Sequence, residues 1–142
     1  MTAEAVARYV QLGTQNSTPA NYASGNVQGW YNTTRKGSDL VLPIESGTPK
    51  VTAFQLLAPG WWIIEANAKF SVTATLNICL NGIGTSTVMA MSGLINSPNV
   101  TVAREFSVNS QIMTRWDLSG SGTMTQAADD QNHISFTYLG AV

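Results

Sequence analysis

Between Pro59 and Gly82 the chain alternates with a period of two, a pattern that no helix can use. From Trp62, apolar side chains fall on every second residue: Trp62, Ile64, Ala66, Ala68, Phe70 and Val72. Glu65, Asn67, Lys69 and Ser71 fall between them. Successive side chains of a β-strand point to opposite faces, so this run buries one face and wets the other. A Pro59-Gly60 turn opens the run, and a second strand after it ends at Asn81-Gly82. The pattern predicts an antiparallel β-protein.

Further strand signals follow Pro43 at regular spacing. Strands are expected over 39–44, 51–57, 61–72, 75–81, 86–92, 100–108, 112–118, 122–126 and 133–139. Turn formers separate them, among them Ser97-Pro98-Asn99, Asn109-Ser110 and Asp129-Asp130. Many short strands with turns about every ten residues argue for a sandwich or barrel. A chain of 142 residues is one ordinary domain with room for a core.

The segment before residue 39 reads differently. It holds the turn-rich run TQNSTPANYASGN and few periodic apolar positions. Residues 1–38 are expected to form an extended arm that packs on a partner, with 39–142 as the sandwich. Tyr9, Tyr22, Trp30 and Tyr31 are its candidate anchors. In the alternative, the arm folds back as outer strands of the same sandwich.

Composition narrows the function. Charged residues are 11% of the chain, and net charge is −1. The seven basic residues are scattered, so the electrostatic footprint of a nucleic-acid binder is absent. No apolar run approaches the ~20 residues of a membrane span, and the N-terminus does not read as a signal peptide. One cysteine, Cys79, excludes an intramolecular disulfide and is expected to be a small buried residue. The only histidine, His133, stands on an expected strand with no motif around it. Asp129 and Asp130 supply too few oxygens for calcium, so they read as a solvated turn. No zinc-ligand cluster, phosphate loop or Ser-His-Asp signature is present. No enzyme, metal or cofactor is expected.

Binding residues are easier to name. Trp61 and Trp62 are adjacent on a strand, so only one of them can join the core that they flank. The other is left outside, where a large apolar group marks an interaction surface. Ile63 makes that strand end apolar on both faces. The uncharged stretch TSTVMAMSGLI argues likewise, with Met89 and Met91 as candidates.

The order of features from Leu56 onward resembles the trimeric jelly roll of tumour necrosis factor and the complement globular heads. That family has a Pro-Gly turn before a strand written Gly, aromatic, x, Ile, x, Ala, x, x, x, Phe. Here it stands as GWWIIEANAKF from Gly60 to Phe70. The family's next strand carries alternating Leu and then Asn-Gly, similar to LNICLNG from Leu76 to Gly82. Its closing strand, of the type Ser-Phe-x-Gly-x-Leu, is similar to ISFTYLG from Ile134 to Gly140. Ser119-Gly120-Ser121-Gly122 replaces the family's usual Gly-Asp turn.

The resemblance implies an all-β antiparallel jelly-roll sandwich that assembles as a homotrimer. Without the stalk or anchor of the animal members, it implies a bacteriophage virion protein, made in the host cytoplasm. The first expectation is a capsid decoration (cement) protein whose arm docks on the major capsid protein. The second is a receptor-binding or fibre-tip domain that reads a host glycan or protein. A small carbohydrate-active or cupin-like enzyme is a third, which the lone histidine disfavours.

Overall fold

The computed structural model describes residues 5–10, 15–17, 26–27, 30–31, 34–36, 39–45, 50–118, 122–124 and 132–141. They form fourteen strands and one short 3-10 turn, Thr85–Thr87, with no α-helix among the described residues. The strands are β1 (Ala5–Val10), β2 (Gln15–Ser17), β3 (Asn26–Val27), β4 (Trp30–Tyr31), β5 (Thr34–Lys36), β6 (Val41–Glu45) and β7 (Lys50–Leu56). There follow β8 (Gly60–Asn67), β9 (Ala74–Leu80), β10 (Val88–Met91), β11 (Asn99–Phe106), β12 (Gln111–Leu118), β13 (Gly122–Met124) and β14 (His133–Gly140). Every strand expected after Pro43 is present.

Two antiparallel sheets face each other. The first has the order β11-β8-β14-β1-β5. The second runs β10-β9-β12-β7-β4, with β3 beside β12 and β6 beside β7. A separate pair joins β2 and β13. Sequence neighbours β7, β8 and β9 alternate between the sheets, as a jelly roll requires. The fold class read from the sequence is the one observed.

Period-two burial builds the core. Trp62, Ile64 and Ala66 of β8 are buried, as are Val100, Val102 and Phe106 of β11 and Ile134 and Phe136 of β14. From the second sheet come Phe54, Leu56, Leu76, Ile78, Ile112 and Trp116. Phe54 meets Phe136 across the sandwich at 5.2 Å between ring centroids. Phe70 stacks on Trp116 at 4.7 Å. The indole of Trp62 donates to the Ala58 carbonyl and lies 4.8 Å from the Tyr138 ring. Such aromatic pairs add about 0.5–1.5 kcal/mol each beyond their buried area.

Two expectations change. The strand that starts at Gly60 ends at Asn67 rather than Val72. Alternation of burial nevertheless continues through Ala68 and Phe70. The backbone has changed partners there: the Ala68 amide donates to the Pro98 carbonyl, and that of Phe70 to Asn96.

The division at residue 38 also fails to separate the described strands. β1 runs beside β14 from Ala5 to Val10 and beside β5 on its other edge. Ala7 belongs to the buried core. β3 and β4 add to the second sheet through Arg115–Trp116 and Val51–Lys50. Without β1, β14 would expose a row of backbone donors and acceptors along its inner edge.

Candidate interaction surface

The outer face of the first sheet is apolar at one end. Trp61 and Ile63 point away from the core that Trp62 and Ile64 enter. Trp62 is fully buried, whereas Trp61 is 45% exposed. Register places Ala103 of β11 and Thr137 of β14 on either side of Ile63, and Glu105 and Gly140 beside Trp61. Leu139 stands in the bulge where β14 slips against β8, 48% exposed. Toward the other end the face turns polar through Glu65, Thr101 and Ser135. There the amides of Asn67 and Asn99 hydrogen-bond to each other.

A second uncharged surface lies on the edge. No charged residue occurs from Phe70 to Ala103. This stretch supplies β10, the outermost strand of the second sheet, and its link to β11. Met91 and Leu94 are 54% and 62% exposed, and Ile95 is half exposed. The link is tightly held. Ser92 and Leu76 share a backbone bond and a side-chain bond, and Ile95 and Ala74 exchange both backbone bonds. Exposed apolar groups on so well-tethered a backbone form a surface rather than a loose loop.

The expected binding residues therefore divide. Trp61 is on the first sheet's face and Met91 on the second sheet's edge, so a single chain does not bring them together. Met89 is half-buried and packs against the core. Tyr9 sits on β1, its backbone paired with Ile134 and Arg35. Trp30 and Tyr31 make up β4, paired with Val51 and Lys50. Tyr22 lies outside the described residues, as do Asp129 and Asp130.

Two polar pairs escaped the sequence reading. His133 Nε2 lies 3.3 Å from Glu65 Oε1. These residues are 68 positions apart, and only the β8–β14 register brings them together. The other pair had a local signal. Arg115 and Asp117 are two apart on β12 and so share a face. Arg115 Nε lies 3.2 Å from Asp117 Oδ2, with both side chains buried. Asn77 of β9 donates to Asp117 Oδ2 and to the Arg115 carbonyl. Arg115 Nη1 donates to the Ile83 carbonyl at 2.8 Å, tying down the connection after β9.

Burial pushes the Asp117 carboxyl up from its ordinary value, and Arg115 and Asn77 partly offset this. Burial also raises the Cys79 thiol, against a hydrogen bond from Thr87 and the charge of Arg115. A fully buried thiol with a raised pKa is a poor nucleophile, and His133 is in the other sheet. Among the described residues, no three of His, Cys, Asp and Glu cluster as metal ligands. No helix among them is long and apolar enough to cross a membrane.

No family model and no curated protein matches the chain. Solved structures do. The chain is similar to GITRL from bushbaby, at 12% identity and TM-score 0.58, covering 98% of this chain and 97% of that one. It is similar to murine APRIL at pH 8.0, at 10% identity and TM-score 0.63, covering 95% and 98%. It is also similar to the Eiger TNF of S. frugiperda, at 7% identity and TM-score 0.59, covering 97% and 94%. The fold is a TNF-like jelly roll, and the alignments include the segment before residue 39.

Proposed function

We propose that three copies of this chain assemble around a three-fold axis and that the assembly works by binding. One observation carries the reading: each chain exposes two separate apolar surfaces. One is the face around Trp61, Ile63 and Leu139, and the other is the edge around Met91, Leu94 and Ile95. A face on one copy that meets an edge on the next makes a heterologous contact, and a closing rotation turns such contacts into a ring. A monomer leaves both surfaces in water. The TNF-like fold supports the three-fold ring, since it also underlies the trimeric family that the sequence resembles.

The trimer is proposed to act on a virus particle, a placement that rests on the sequence resemblance. Its first role is capsid decoration, bound to the major capsid protein, with three-fold avidity multiplying a weak single contact. Because β1 is part of the sandwich, docking then uses the jelly roll itself. The exposed Leu57 and Val108, at the end where β7 and β11 finish, offer a contact there. The second role is a receptor-binding or fibre tip.

Sedimentation at micromolar concentration tests the assembly: three chains are expected, and a clean monomer overturns it. Binding to purified empty heads but not to host cells is expected for decoration. The reverse establishes the second role.

A further inference from the structure

We propose that the cleft between the end of β9 and the β11–β12 turn is a binding site for one acidic sugar ring. The cleft is an open one of about 250 Å³. This is smaller than the ~300–1,000 Å³ of sites for drug-sized ligands, so it suits a single terminal ring.

Its charged donor is Arg104. The guanidinium lies 5.5 Å from the centroid of the buried Phe106 ring. That stacking positions the group while leaving its N–H donors available. Among the described residues, no carboxylate pairs with it.

Two amides are set in the same wall. Asn81 Oδ1 accepts from the Gln111 amide at 2.9 Å. Asn109 Oδ1 accepts from Gln55 Nε2 at 2.8 Å. With each oxygen engaged, the Nδ2 groups remain as donors. Both asparagines have left-handed backbone, φ 56° and 65°, which fixes where their side chains start. Ser110 Oγ donates to the Ser107 carbonyl and closes the turn.

The cleft therefore offers a cationic fork and two amide donors on a rigid frame. Oxygen acceptors and a carboxylate complement that set. Leu80 and Val108 add apolar wall for the C–H face of a ring. A uronic or sialic acid carries all three features. The site belongs to one chain, so it does not depend on the three-fold assembly.

The test titrates N-acetylneuraminate and D-glucuronate into the isotope-labelled protein, with D-glucose and sulfate as controls. Saturable amide shifts are expected at Asn81, Arg104 and Ser107 to Ser110, with affinity on the order of millimolar for at least one acid. D-glucose should bind at least tenfold more weakly. Arg104→Gln should weaken acid binding at least tenfold while sedimentation stays unchanged. Absence of shifts with both acids overturns the proposal. Equal binding of sulfate overturns it in favour of a simple anion site. Loss of assembly in Arg104→Gln reassigns the residue to a contact between subunits.

Discussion

Gly60 and Gly140 meet backbone to backbone at the end of the first sheet. A Cβ built on Gly60 would lie 2.3 Å from the Gly140 carbonyl oxygen. Gly60 also holds φ at 136°, a conformation that L side chains rarely adopt. Gly60→Ala should therefore destabilise the fold by about 2–3 kcal/mol, through strain and a backbone clash. Gly140 has φ 116° but open space around its own Cβ position. Gly140→Ala should cost less. Urea midpoints of the two variants check the order.

Trp61 and Leu139 should govern assembly and leave folding intact. Both are nearly half exposed. Trp61→Glu combined with Leu139→Glu is expected to give a folded monomer, because unpaired carboxylates beside Glu105 disrupt an apolar contact. Sedimentation with circular dichroism separates this from unfolding. A trimer that survives the double change would place the contact elsewhere.

The Arg115–Asp117 pair should behave as one unit. Arg115→Met strands a buried carboxylate and should cost about 3–5 kcal/mol at neutral pH. Arg115→Met together with Asp117→Leu should cost much less. The pH dependence follows from the raised folded pKa of Asp117. Between the ordinary carboxylate value and the folded one, the native state binds more protons than the unfolded chain. This group's contribution is therefore most favourable below the ordinary value and falls as pH rises through the folded one. Without Arg115 the folded pKa rises further. The deficit of Arg115→Met relative to the parent should then shrink as pH falls. Denaturant curves across pH check the sign.

Deleting residues 1–38 should abolish the folded state. β1 lies between β14 and β5, and Ala7 is in the core. The loss opens an edge in the first sheet and uncovers core positions. Loss of a cooperative thermal transition is the expected result. A truncated chain that still folds would return β1 to the role of a removable arm.

Chelation should leave the melting temperature unchanged. A bound ion stabilises the native state by mass action, so its removal lowers the transition. A clear drop would point to calcium at Asp129 and Asp130.

Much of the core was legible because its signal is local. Alternation from Trp62 to Phe70 names the buried face without knowledge of any partner strand. The same parity put Trp61 outside. It also held for Arg115 and Asp117, although their pairing shows only once their shared face is recognised. The segment before residue 39 carries no comparable periodicity, and its aromatic residues by themselves suggest anchors for another protein. In the described strands, its backbone completes the two sheets instead.

The strand class, most strand positions, the buried face of β8 and the outward tryptophan are written in the order of the residues alone. These follow from side-chain chemistry at a spacing of two, which each segment expresses alone. The strand order, the place of β1 between β14 and β5, the meeting of His133 with Glu65, and the cleft beside Arg104 arise only when the sheets assemble. Each depends on which backbone edge pairs with which. Hydrogen-bonding groups are the same along every strand, so pairing is selected by the joint burial of both sheets.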